Sequence, residues 1–183
     1  MIFFDIADSL LDNQGAETSA ALEFHQRYAN TLVGSANEFA HRWRMVTEKH
    51  VQRYLSGELS FQGQRRERLK EIFSGKHTLS DLEADNLFEK YLEAYERNWR
   101  LFPDVLPCLE ELGQYKLGII SNGDRSQQTQ KLIATGIHDR FELIVISGAV
   151  GISKPDPRIF IEACRVAQLS PSESWHIGDN FEA

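Results

Sequence analysis

The sequence predicts an α/β protein with a Rossmann-like parallel sheet, interrupted near its start by a block of helices. Short apolar runs each end in a polar group: Ile2-Phe3-Phe4 before Asp5, Leu117 to Ile120 before Ser121, and Trp175 to Ile177 before Gly178-Asp179. After Pro103 such runs alternate with helix-spaced stretches, whereas from about Gly15 to Trp99 there is no strand signal. Strands that alternate with helices imply right-handed crossovers, and therefore parallel pairing.

The elements follow in order. Ile2-Phe3-Phe4 reads as a buried strand. Four helices come next. The first is expected over about Glu17 to Val33, with Leu22, Ala29, Leu32 and Val33 on its apolar face and Gly34-Ser35 as its stop. The second carries Phe39, Trp43, Val46, His50 and Tyr54, and stops at Ser56-Gly57. The third holds Phe61, Leu69, Ile72 and Phe73. The fourth opens on Ser80-Asp81-Leu82-Glu83, a capping box in which serine and glutamate satisfy each other's free backbone donors. Its stripe is Phe88, Tyr91, Tyr95 and Trp99. Beyond Pro103 come a helix around Leu106, Leu109 and Leu112, a strand over Lys116 to Ser121, and a helix from Ser126 to Ala134. A strand over Leu143 to Ser147, a helix through Ile159, Phe160 and Ala163, and a buried last strand, Trp175-His176-Ile177, complete the pattern.

Composition narrows the function classes. The chain has 183 residues, 42% of them apolar, and a net charge of −7. A disordered or fibrous chain is excluded. No apolar run approaches the roughly 18 residues of a membrane span, and the first residues lack a basic stretch and cleavage site. A pI of about 5.4 argues against nucleic acid as a partner, since duplex binding needs a basic stripe. The basic cluster Arg65, Arg66, Arg68 and Lys70 alternates with Glu67 and Glu71 and reads as a solvated helix face. Cys108 and Cys164 read as buried thiols of a reducing compartment, so a cytoplasmic setting is expected. Oligomeric state is open.

Asp5, Ser121 and Asp179 each fall just past a strand, and Lys154 lies in a loop just after another. In an open α/β sheet the carboxyl ends of the strands share one edge, where ligands bind. Two hard carboxylate donors there suit Mg²⁺, which keeps several waters and takes substrate phosphate as a further ligand. The Lys154 ammonium and Ser121 hydroxyl suit phosphate oxygens, and Asp5 suits a nucleophile that forms an acyl phosphate. His25, His41, His50, His77 and His138 have no common metal-site spacing, and His176 reads as a core or sheet-face residue.

Asp5-Ile6-Ala7-Asp8-Ser9-Leu10-Leu11-Asp12, Ile120-Ser121-Asn122-Gly123, Ser153-Lys154-Pro155-Asp156-Pro157 and Ile177-Gly178-Asp179-Asn180 resemble, in order, the four motifs of the haloacid dehalogenase superfamily. The helical insert resembles the α-helical cap of its subfamily I phosphatases and nucleotidases. The resemblance implies a core of residues 1–14 and 100–183 around a cap of residues 15–99. It further implies a Mg²⁺-dependent hydrolase acting on a small phosphorylated metabolite. Asp5 would be nucleophile and metal ligand, the Ala7 carbonyl and Asp179 further metal ligands, and Ser121 and Lys154 the phosphate contacts. Asn122 and Gly123 would shape the phosphate cradle, and the cap would close over the crevice.

Two departures stand out. The family's phosphatases carry an acid–base aspartate two residues after the nucleophile; here that residue is Ala7. General acid–base catalysis contributes typically about 10²–10⁴-fold, so poor turnover is expected. An introduced substitution, a pseudoenzyme that binds a phosphorylated ligand, and a phosphonatase-like branch with Lys49 as Schiff-base lysine all remain open. The family's fourth motif also runs on to a second acidic residue, for which Glu182 has the wrong spacing, and then to a further helix and strand. The resemblance therefore implies a core truncated at its C-terminal end.

Overall fold

The computed structural model describes residues 1–75 and 78–180, so His77 and Glu182 lie outside the described residues. The chain divides into two compact units, Met1–Asn13 with Trp99–Ala183, and Gln14–Asn98. In chain order the elements begin β1 (Ile2–Phe4), α1 (Asn13–Arg27), α2 (Ala36–Leu55), α3 (Phe61–Phe73) and α4 (Asp81–Arg97). They continue α5 (Val105–Glu111), β2 (Leu117–Ser121), α6 (Arg125–Ala134), β3 (Leu143–Ile146), α7 (Ser147–Val150), α8 (Pro157–Val166) and β4 (Trp175–Ile177). Among the described residues no helix is long and apolar enough to cross a membrane.

In the first unit the strands line up in the order β3-β2-β1-β4, with every neighbouring pair parallel. Period-two alternation divides their side chains between two cores. Phe4, Leu117, Ile119 and Ile146 join Val105 and Leu109 of α5 and Leu132 of α6 on one face. Phe3, Ile120 and Val145 join Ile159, Ala163 and Cys164 of α8 on the other. The sheet is thus covered on both faces, which is why its strands read as continuous apolar runs. β4 departs from the buried strand expected of it, because Trp175 is 75% and Ile177 45% exposed. Among the described residues it pairs on one side, with β1. β3 ends one residue earlier than the sequence suggests, because Ser147 opens α7.

The second unit consists of α1 to α4. Ser35 and Ser80 head α2 and α4 with complete capping boxes to Glu38 and Glu83, and Ser60 caps α3. Phe24, Phe39, Trp43, Phe88 and Tyr91 form an aromatic core, with the Trp43 and Tyr91 ring centroids 4.3 Å apart. Three expectations change here. α1 starts at Asn13, ends at Arg27 and buries Ala16, Ala20, Ala21 and Phe24; Val33 is exposed. Alanines at helical spacing, which carry little apolar weight in a sequence, form the packed stripe in place of the larger Leu22 and Val33. Trp99 lies beyond the end of α4.

Nor is the basic cluster of α3 a uniformly solvated face. Arg68 is buried, donates to Thr47 Oγ1 at 2.7 Å, and lies 5.1 Å from the centroids of Trp43 and Phe88. Weakly hydrated guanidinium stacks on aromatic faces, so the ring cage accommodates a charge that periodicity assigned to water. Glu71 accepts from Lys49 Nζ and His50 Nε2, each at 2.8 Å, and ties α3 to α2.

Gly118 of β2 lies under Phe3, where an added Cβ would fall 2.7 Å from two ring carbons. Overpacking a filled core costs ~1–3 kcal/mol, so Gly118→Ala is expected to lower unfolding stability by that amount in urea titration. Unchanged stability would mean that the Phe3 ring has room to move.

A second prediction concerns pH. The hydrogen bond from Lys49, aided by that from His50, holds the Glu71 carboxyl below its ordinary value. A group depressed on folding stabilises fully above its unfolded pKa, about 4.3 for glutamate, and loses that contribution as pH falls through the folded value. Glu71→Gln should therefore flatten the loss of stability in the acid range below about pH 4.3. Parallel pH profiles for the two proteins would remove Glu71 from that loss.

Candidate active site

Every residue nominated from the motifs lies in the first unit. β1 sits between β2 and β4, with Phe4 opposite Ile119 on one side and Ile177 on the other. The parallel register therefore carries Asp5, Ser121 and the Gly178-Asp179 turn to the same edge of the sheet. β2 and β3 leave β1 on one side and β4 lies on the other, so this edge contains a topological switch point, where open α/β sheets bind ligands. The Asp5 backbone N–H donates to Ile177 O at 2.9 Å, and that of Asp179 to Ser9 Oγ at 2.9 Å. The loops after β1 and β4 are thereby tied together. An added Cβ on Gly178 would lie 3.7 Å from Asp5 Cβ, so the two strand ends approach closely.

Lys154 reaches this edge from the loop between α7 and α8. Its side chain is 3% exposed and places Nζ 3.0 Å from Asp5 Oδ2. Asn122 holds the lysine by both ends of its amide: Nδ2 donates to Lys154 O at 3.0 Å, and Oδ1 accepts from Lys154 N at 2.8 Å. The Asn122 side chain is therefore committed to positioning Lys154. The Gly123 N–H donates to Ser147 Oγ at 2.9 Å, and Gly148 N–H returns to Gly123 O at 3.0 Å. Through these atoms Asn122 and Gly123 brace the loop.

Asp5 is asymmetric. Oδ2 accepts from Lys154, whereas Oδ1 is buried with no hydrogen-bond partner. A buried carboxylate oxygen left unpaired is costly, and a hard cation would satisfy it. The donors expected from the motifs, the Asp5 and Asp179 carboxylates and the backbone carbonyl of Ala7, are hard oxygens of the kind that Mg²⁺ takes. Among the described residues no three His, Cys, Asp or Glu side chains gather into a metal cluster. Ala7 forms a parallel bridge with Leu11. Asp8 beside it takes a φ of 55° and donates its N–H to Leu11 O at 2.8 Å, which closes a tight turn.

The motifs did not reveal three further residues. Ser147 supports Gly123. Gln128 of α6 is buried and donates from Nε2 to Ser121 Oγ and to Asn122 O, each at 2.9 Å. His176 stacks edge-on against Phe160, with ring centroids 5.1 Å apart. Burial first, and then the Lys154 charge, lower its imidazole below the ordinary value. One turn beyond the Asp124 cap, Gln128 reads from sequence as an ordinary polar helix residue, and the loss of solvent there becomes visible in the folded chain. Lys49, nominated as a Schiff-base amine, is in the second unit, with its side chain 58% exposed and paired to Glu71. An amine nucleophile is activated by a dry pocket or a neighbouring cation, and Lys49 has neither arrangement.

The family model for haloacid dehalogenase-like hydrolases matches residues 1–182. A glyceraldehyde 3-phosphate phosphatase from Methanopyrus kandleri is 42% identical over 83 residues, covering 44% of this chain and 36% of that protein. The chain thus aligns with well under half the length of this curated relative. The magnesium-bound crystal structure of YfnB from Bacillus subtilis superposes with a TM-score of 0.83 at 22% identity, covering 100% of this chain and 80% of that one. A 2-haloacid dehalogenase from Pseudomonas syringae pv. Tomato DC3000 gives a TM-score of 0.66 at 28% identity, covering 98% of this chain and 77% of that one. With its α/β core, its helical insert and its polar strand ends, the chain belongs to the haloacid dehalogenase-like hydrolases.

Proposed function

We propose that the chain is a Mg²⁺-dependent hydrolase of small phosphorylated metabolites that takes the phosphoryl group onto Asp5. The observation that carries this reading is the divided Asp5 carboxylate, with one oxygen on the Lys154 ammonium and the other buried and unpartnered. Similarity to a glyceraldehyde 3-phosphate phosphatase supports the substrate class. Residues 15–99 act in this reading as the cap of a core formed by residues 1–14 and 100–183. We place the protein in the cytoplasm, in keeping with its free cysteines, of which Cys164 is buried as expected and Cys108, against expectation, is exposed.

The residues have distinct tasks. Lys154 and the Ser121 hydroxyl hold phosphate oxygens, while Lys154 also keeps the Asp5 carboxylate aimed. Asp5, Asp179 and the Ala7 carbonyl would hold Mg²⁺, which supplies charge neutralisation on the phosphoryl oxygens when bound. An oxygen of Asp5 attacks phosphorus, the bond to the ester oxygen breaks, and the departing alkoxide takes a proton from solvent water. Water then attacks the aspartyl phosphate, releasing inorganic phosphate and restoring Asp5. Ala7 has no proton to give the alkoxide and no base to activate the water, so both half-reactions are slow.

A second reading follows from the same residue. A halide leaves without protonation, so displacement of halide from a 2-haloacid by Asp5 would not need an acid at position 7 in its first step.

Ala7→Asp is expected to raise hydrolysis of glyceraldehyde 3-phosphate with Mg²⁺ by about 10²–10⁴-fold, and chelation with EDTA should abolish it. Equal rates would remove Ala7 from the mechanism. Phosphate-ester binding without turnover in both forms would favour a non-catalytic binding protein, and halide release by the unaltered chain would favour the second reading.

A further inference from the structure

Ser121 ends β2 almost wholly buried, and its hydroxyl can act on a ligand only if its proton points outward. A serine hydroxyl has one donor and two acceptor positions and rotates to suit its neighbours, so those neighbours decide its direction. Gln128 is 4% exposed, and its Nε2 lies 2.9 Å from Ser121 Oγ and 2.9 Å from the Asn122 carbonyl oxygen. The orientation of that amide is determined by chemistry. A carbonyl oxygen can only accept, so the atom facing Asn122 O is the nitrogen, and its second N–H is directed to Ser121.

The consequence for Ser121 is specific. With one lone pair occupied by Gln128, the hydroxyl cannot direct its proton there. In the unliganded chain that proton reaches Asn122 O only over a long 3.4 Å contact. An incoming oxyanion at ordinary hydrogen-bond distance outcompetes so long a contact. Gly123 makes the arrangement possible: its φ is +131°, and a Cβ there would fall 3.3 Å from Gln128 Cγ and 3.5 Å from Nε2. Gly123 thus leaves room for the glutamine.

We propose that Gln128 is the positioning residue of the anion cradle, donating to Ser121 Oγ so that the serine hydroxyl donates to a phosphoryl oxygen. The proposal rests on the phosphate reading above. A glutamine that merely satisfied the Asn122 carbonyl would have the same burial, so the test must detect its action through Ser121.

The probe is inorganic phosphate in the presence of Mg²⁺, with affinity measured by calorimetry on the full chain and folding checked by circular dichroism. Gln128→Met keeps the shape without the donors and is expected to weaken phosphate binding about 10-fold, the scale of one oriented hydrogen bond to an anion. Ser121→Ala should weaken it at least as much, and adding Gln128→Met to Ser121→Ala should change little further, because the glutamine then has no hydroxyl to direct. Gln128→Leu, likewise without donors or charge, carries the same cycle if the methionine variant does not fold. Equal affinity of Gln128→Met and the unaltered chain, or an undiminished loss in the Ser121→Ala background, would overturn this inference alone. Failure of the unaltered chain to bind phosphate would overturn the phosphate cradle and this inference with it.

Discussion

The ion pair between Lys154 and Asp5 is the contact on which the first unit's polar edge depends. Removing an ammonium and a carboxylate from water costs several kcal/mol per ion, and the attraction offsets this only when the geometry is held. Lys154 belongs to no helix or strand, so no regular ladder holds it. Asn122 does so instead, binding both the N–H and the C=O of the lysine from the end of β2. Asp5 comes from the end of β1, one strand away. The pair therefore depends on the pairing of Phe4 with Ile119; a slip of one residue would turn Asp5 to the opposite face of the sheet.

That dependence orders the other polar groups. Ser147 takes the Gly123 N–H, Gln128 takes Ser121 Oγ and Asn122 O, and Ser9 takes the Asp179 N–H. The bonds of Ser147 and Gln128 satisfy buried or half-buried groups that would otherwise cost about 1–3 kcal/mol, and that of Ser9 ties the exposed turn after β4 to the loop after β1. The edge is rigid because most of its donors are already committed to one another. Preorganised groups of this kind lose little freedom when an anion arrives. The Asp5 carboxylate oxygen Oδ1 is the group the edge leaves buried and unpartnered.

Much of the fold was legible in the sequence, because buried parallel strands and amphipathic helices have distinct periods. The strand ends at Asp5, Ser121 and Asp179 were readable because a polar residue directly after an apolar run is conspicuous. The stripe of α1 was not, since Ala16, Ala20 and Ala21 contribute shape rather than hydrophobic contrast. Arg68 was misjudged because periodicity counts charge as solvated and does not register an aromatic cage. In the site, residues that act through side chains at strand ends were legible, whereas Gln128, Ser147 and the clamping role of Asn122 were not. Their contributions are hydrogen bonds to backbone or to another side chain across 24 or 32 residues of sequence, or from one turn into a helix, and no local pattern marks such partners.

Ala7 separates holding a ligand from transforming it. Its missing carboxyl takes no part in the ion pair, the Asn122 clamp or the Gln128 contact, so the groups that would bind a phosphoryl oxygen stay in place. What is lost acts only while a proton moves, and interactions confined to the transition state change rate without changing ground-state binding. The loss is not uniform across substrates. An alkyl alkoxide needs its proton urgently, an aryl oxide less, and a halide not at all. The leaving group, rather than the fold, therefore determines how much of the first step survives, and water activation at Asp5 determines how fast the second follows. In the proposed reading, a site that keeps its anion-binding groups and lacks its acid is best suited to ligands that it holds for longer than it converts.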